Sequence, residues 1–172
     1  RPADANETAI AWKTIIENRK PTGLVLSRQN LPTYDANPDV AKGGYIRVDA
    51  SNGEPKVLLL ATGSEVQLAV GAAEQLESEG IPARVVSLPC FEWFAEQDDA
   101  YRESVIPSAV KARVSVEAGL ATPWYRLIGD NGVAVSLEHY GESVDGALLM
   151  KKFGFTVENV VAAAKKSLQA TE

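Results

Sequence analysis

From Lys56 onward the chain alternates short aliphatic runs with stretches of helical period, and few folds accept that order. Val57–Ala61, Ala83–Leu88, Arg113–Glu117 and Val133–Leu137 each have the length and composition of a strand. Helices are predicted from Gly63 to about Ser78, through Gln97 to Ser104 and after Thr122-Pro123. Two more cover Val144–Lys152 and Val157–Leu168. Strand–helix–strand repetition brings each strand back parallel to the last. The predicted class is therefore α/β, a three-layer α/β/α arrangement with a mostly parallel sheet and right-handed crossovers. Ahead of it, Tyr45-Ile46-Arg47-Val48 alternates as a half-exposed strand. The turn Ser51-Asn52-Gly53-Glu54 would fold that strand back as a hairpin onto Lys56–Ala61, giving the sheet one antiparallel edge.

The first residues read as a remnant of an upstream domain. Ile10, Trp12, Ile15 and Ile16 recur with helical period from Asn6 to Arg19, with Asp4 or Asn6 placed to cap the helix and Pro21 ending it. Gly23-Leu24-Val25-Leu26 then reads as a buried parallel-type strand. This helix–strand pair is too small to form a core alone and needs a neighbouring domain for its apolar face. Pro32, Asn37, Pro38 and Asp39 break periodicity, so the expected organisation is 1–32 as the end of an upstream domain, 33–43 as a linker and 44–172 as a domain of its own. The opening Arg1-Pro2-Ala3-Asp4 has no initiator Met and enters the helix almost at once, which reads as a truncated polypeptide.

Composition excludes several function classes. With a formal charge of −6 and basic residues scattered along the chain, nucleic-acid binding is not expected. No apolar run is long enough to span a bilayer, so no membrane partner is expected. Cys90 is the only cysteine, which rules out an internal disulfide and makes a cytoplasmic address the expectation.

Arg28 stands just past the Gly23–Leu26 run, in Ser27-Arg28-Gln29-Asn30, where ligands of open α/β sheets bind. A guanidinium there suits a phosphate or carboxylate, since its planar fork of donors engages two oxygens at once. The alternative is an Arg paired with a nearby carboxylate or with loop carbonyls. Thr62-Gly63-Ser64-Glu65 follows a strand and opens a helix, the setting of a phosphate loop, but it lacks the further glycines or the Lys of nucleotide-binding loops. A capping box formed by Thr62 and Glu65 is the favoured reading. His139, the only histidine, reads as a loop residue, and Ser143 as the cap of the next helix. Cys90, beside Phe91, Trp93 and Phe94 and near no cation, reads as an inert thiol, while those aromatics suit a core or a subunit contact. Glu117-Ala118-Gly119 and Trp124-Tyr125 meet at the same sheet edge and read as packing. No set of residues forms a catalytic constellation.

Arg1-Pro2-Ala3-Asp4-Ala5-Asn6-Glu7, Ser27-Arg28-Gln29-Asn30-Leu31-Pro32, Leu60-Ala61-Thr62-Gly63-Ser64-Glu65-Val66 and Lys152-Phe153-Gly154-Phe155-Thr156 are four segments that together, and in this order, resemble transketolase. The resemblance runs from the end of the pyrimidine-binding domain through the C-terminal domain. It implies a parent that uses thiamine diphosphate and a divalent metal, Mg or Ca, to transfer a two-carbon ketol unit between sugar phosphates, as a homodimer. It also implies that Arg28 grips the substrate phosphate. The family's metal and cofactor motifs lie upstream, so no catalytic, cofactor or metal residue is expected here, and this piece alone should be inactive. A non-catalytic dimerisation, interaction or regulatory module is the alternative, as are the related thiamine enzymes, the deoxyxylulose phosphate synthases and E1 dehydrogenase components. A nucleotide-binding role rests only on the sheet layout and the Thr62–Ser64 turn.

Overall fold

The computed structural model describes all 172 residues. Tyr45–Val48 (β1), Val57–Ala61 (β2), Ala83–Ser87 (β3), Arg113–Val116 (β4) and Val133–Val135 (β5) form a five-stranded sheet in the order β1-β3-β2-β4-β5. β2 pairs in parallel with β3 and β4, and β4 with β5, while β1 runs antiparallel along β3. The helices are Ala5–Asn18 (α1), Val66–Ser78 (α2), Phe91–Ala95 (α3), Asp99–Val105 (α4), Tyr125–Ile128 (α5), Gly146–Lys152 (α6) and Val157–Gln169 (α7). No helix is long and apolar enough to cross a membrane.

Alternation along β2 builds both cores. Val57, Leu59 and Ala61 face α2 and α7, where they meet Val66, Ala69, Leu76, Val160 and Ala164. Leu58 and Leu60 face the opposite side and pack with Phe94, Val105 and Ile128 from α3, α4 and α5 and with Ile106 and Trp124 beside them. Each such leucine contributes about 2 kcal/mol by leaving water. A strand apolar on both faces has to lie inside the sheet with helices on either side, which is the predicted three-layer arrangement.

Several expectations need correction. The antiparallel edge exists, but β1 is not the hairpin partner of β2: Tyr45 pairs with Ser87 and Ile46 with Val86 of β3. Both edges of β2 are taken by parallel neighbours, and the partly exposed β1 suits the sheet's outer edge. Gly23–Leu26 is not a strand: it has no regular secondary structure, and Val25 and Leu26 are exposed, because no other strand lies beside it to take its backbone hydrogen bonds. The predicted helix from Asn6 to Arg19 is α1, capped by Asp4, whose carboxylate accepts the Glu7 N–H at 2.7 Å. Its buried face is Glu7, Ala11 and Thr14, leaving Trp12 and Ile16 in solvent. The aromatic-rich α3 was not expected as a helix, and α4 begins at Asp99 rather than Gln97. α6 begins at Gly146 and is capped by Asp145 through the Leu148 N–H at 3.0 Å, so Ser143 is not its cap.

Candidate functional site

After β2 the chain steps outward to β3 and then returns past β2 to β4. The strand order therefore reverses between β2 and β4, and the crevice beyond their carboxyl ends is where open α/β sheets hold ligands. Here Arg1 fills it. The Arg1 carbonyl accepts the Thr62 hydroxyl at 3.0 Å and the Gly63 N–H at 3.1 Å. Its guanidinium donates to Glu65 at 3.0 Å and to Glu117 at 2.6 Å. Glu65 is fully buried and also accepts the Ala118 N–H at 3.1 Å and the Ser64 hydroxyl, while the second oxygen of Glu117 accepts the Trp124 indole N–H at 2.7 Å. Burial alone would lower the pKa of Arg1, but the two carboxylates outweigh it and raise the value.

Thr62 and Glu65 therefore do not form a capping box. Thr62 makes no side-chain cap bond, and Glu65 is turned toward Arg1 because a buried carboxylate gains more from a cation than from one amide. Nor is the turn open to a phosphate, since the Gly63 amide is already taken. Gly63 has φ +60°, and a Cβ there would come 3.0 Å from Arg1 Nη2, so the loop is fitted to that arginine.

The rest of the N-terminal segment lies along the same edge. Glu7 is buried and accepts the Ser87 hydroxyl at 2.6 Å, the Ala3 N–H at 2.7 Å and the Tyr45 phenol at 2.9 Å. Burial pushes its pKa up, against the lowering effect of Ser87 and Ala3. The Tyr45 pKa is raised by burial and by Glu7.

Arg28 is in a different position. It is exposed on a loop and takes part in none of the chain's ion pairs. The loop is held at both sides. Asp4 Oδ2 accepts the Tyr34 N–H at 2.7 Å, and the Asn6 amide donates to the Tyr34 carbonyl at 2.7 Å. Gln29 lies against Gly146, where an added Cβ would come 2.8 Å from Gln29 Nε2. Beneath the loop is a cavity of about 260 Å³ lined by Asp4, Thr8, Ser27, Gln29 and Asn30, among others. The arginine is thus presented outward between α1 and α6 with its donors unspent.

The other sequence candidates lie elsewhere. His139 is an exposed loop residue whose Nδ1 is 2.8 Å from the Tyr140 carbonyl oxygen and whose ring meets the edge of Phe153. Cys90 is half-buried, and burial pushes its thiol pKa up, as suits an unreactive cysteine. Phe91 stacks edge-on with Trp124, and Phe94 is buried. No group of three or more His, Cys, Asp or Glu side chains is arranged to hold a metal. Sequence reasoning did not foresee the Arg1–Glu65–Glu117 cluster. Its signal was two carboxylates at the ends of neighbouring strands, which require a cation between them.

Residues 43–156 match the family model described as the transketolase-like TK C-terminal domain. The chain is 53% identical over 177 residues to the transketolase of Mycobacterium tuberculosis, covering 98% of this chain and 25% of that protein. It superposes on the transketolase from Leishmania mexicana with a TM-score of 0.91 at 38% identity, covering 98% of this chain and 25% of that one. A transketolase from Pichia stipitis in complex with sedoheptulose 7-phosphate matches with a TM-score of 0.84 at 35% identity, over 98% of this chain and 25% of its own. The chain spans about a quarter of the length of these relatives.

Proposed function

Because this chain belongs to the transketolase family, we propose that it forms the C-terminal portion of a transketolase, which transfers a two-carbon ketol unit between sugar phosphates. In this reading residues 1–32 end the pyrimidine-binding domain, 33–43 link it to the next, and 44–172 are the C-terminal domain. The observation that carries the assignment of a site is Arg28, exposed and without an ionic partner in this chain. Its role is to grip the substrate phosphate through a bidentate pair, which positions the sugar without taking part in bond making. The sedoheptulose 7-phosphate complex of the P. stipitis relative supports sugar phosphates as the ligand class.

Thiamine diphosphate, held through a divalent cation, would supply the carbanion chemistry of the whole enzyme. The residues of this chain do not fit that group. The Gly63 amide is spent on the Arg1 carbonyl, and Glu65 and Glu117 are spent on its guanidinium. We therefore assign the cofactor to the upstream part of the enzyme and expect this chain alone to be inactive. The whole enzyme is proposed to be a cytoplasmic homodimer.

A coupled ketol-transfer assay on this chain and on a polypeptide extended upstream tests the reading. Turnover of a ketose phosphate and an aldose phosphate by the extended form alone is the expected result. An extended form inactive with thiamine diphosphate and magnesium would move the related thiamine enzymes to the front.

A further inference from the structure

On the side of the sheet away from α2 and α7, a cavity of about 620 Å³ opens among α3, α4 and α5. That size falls within the range of small-molecule sites. Its apolar wall comes from Phe91, Phe94, Ile106 and Leu127, and three arginines, Arg102, Arg113 and Arg126, also line it.

Glu92, Asp99 and Glu103 match the three arginines in number, but only Arg102 is paired with one of them. The Arg113 guanidinium donates to the carbonyls of Val110 at 2.8 Å, Leu127 at 2.6 Å and Pro107 at 2.9 Å, but to no carboxylate. Burial pulls its pKa down, and the charge of Glu103, which makes no contact with it, offsets only part of that fall. Arg126 is exposed on α5 and also lacks an ionic partner. Two of the nearby carboxylates are already engaged: Asp99 pairs with Arg102, and Glu103 accepts both the N–H and the hydroxyl of Ser108. The third, Glu92, is exposed and lies 3.4 Å from the Cys90 thiol. An apolar wall beside two cations with no carboxylate at ion-pair distance is complementary to a flat apolar body bearing an oxyanion.

We propose that this cavity binds a small organic anion, with an aromatic body against Phe91, Phe94 and Leu127 and a carboxylate or phosphate between Arg113 and Arg126. The site is separate from Arg28 and does not depend on the proposed activity. Arg113 is fixed by three carbonyls, so it supplies a preset charge, while exposed Arg126 closes on the ligand from the rim.

The test is a titration of the 15N-labelled chain, followed by the backbone amides and the arginine Nε–H signals. The probes are 1-naphthoate, 1-naphthyl phosphate, the neutral 1-naphthylmethanol and inorganic phosphate alone. Saturable shifts at Phe94, Leu127 and Arg113 Nε–H with one or both naphthyl anions are expected, and the stronger of the two identifies the preferred oxyanion. Arg126→Ala should weaken that binding by about tenfold, the value of one charged contact. Ala95→Trp, at an exposed position lining the hollow, should abolish it by filling the space. Equal affinity for the neutral alcohol, shifts centred on the exposed Trp12 and Ile16 instead, or no saturation with either anion would overturn the proposal.

Discussion

Arg1 and Glu65 meet at 3.0 Å above the carboxyl ends of β2 and β4, although 64 positions separate them in the chain. Glu65 is fully buried, and Glu117 takes the other side of the same guanidinium at 2.6 Å. A crevice that in other α/β proteins is free for a ligand is here a joint between the N-terminal segment and the sheet.

Arg1→Met leaves two carboxylates facing each other without a cation. Removing one partner of a buried pair costs roughly 3 kcal/mol, because the remaining charge stays desolvated. Urea unfolding should show a loss of that order, and the double variant with Glu65→Gln should recover part of it. A loss below about 0.5 kcal/mol would class the cluster with ordinary surface pairs.

Glu7 gives the joint a pH dependence. Its pKa is raised in the folded chain, mainly by burial, so the unfolded state loses its proton first as the pH rises. Between the ordinary carboxylate value and the raised folded value the native state binds more protons. Stability should therefore fall through that window as pH increases, and stay lower above it. Glu7→Gln removes this slope. Denaturation of both forms from about pH 4 to pH 8 should show the wild type losing stability relative to the variant as pH rises, and parallel curves would contradict the assignment.

Gly43 ends the turn before β1 with φ +83°, and its amide oxygen accepts the Cys90 N–H at 3.1 Å. A Cβ there would stand 2.3 Å from the Cys90 carbonyl oxygen and 2.4 Å from the Phe94 nitrogen, both backbone atoms. The left-handed conformation and this overlap together should make Gly43→Ala cost at least about 3 kcal/mol. A melting temperature within a degree or two of wild type, below even the shift that about 1 kcal/mol gives, would show that the turn rearranges freely.

The sheet could be read from the sequence because β2, β3 and β4 are short, mostly buried runs that alternate with helical stretches, so local pattern and tertiary position agree. The pairing of β1 could not be read that way. Ser51–Glu54 is a good turn sequence, but the position of β1 depends on which edges of β2 are already occupied by strands that come later in the chain. The Gly23–Leu26 run shows the same limit from the other direction: strand composition forms a strand only where another strand is available to pair with it. In α1 the stripe of Ile10, Trp12, Ile15 and Ile16 reads as a face that needs a neighbouring domain, and Trp12 and Ile16 are exposed here, while the contacts within this chain run through Glu7, Ala11 and Thr14. The role proposed for Arg28 rests on residue type and on its place in the motif. The Arg1 cluster could not be read from the sequence, since its three members come from distant parts of the chain.

The central claim is that Arg28 grips the substrate phosphate, and a kinetic comparison tests it most directly. Arg28 is exposed and has no ionic partner, so Arg28→Ala should change stability by no more than about 0.5 kcal/mol. In the whole enzyme, the substitution should raise KM for a phosphorylated acceptor by about tenfold or more, the value of a charge-assisted contact. KM and kcat for the unphosphorylated acceptor should be nearly unchanged. An equal loss with both acceptors would contradict the phosphate grip and leave Arg28 as a surface residue of the loop.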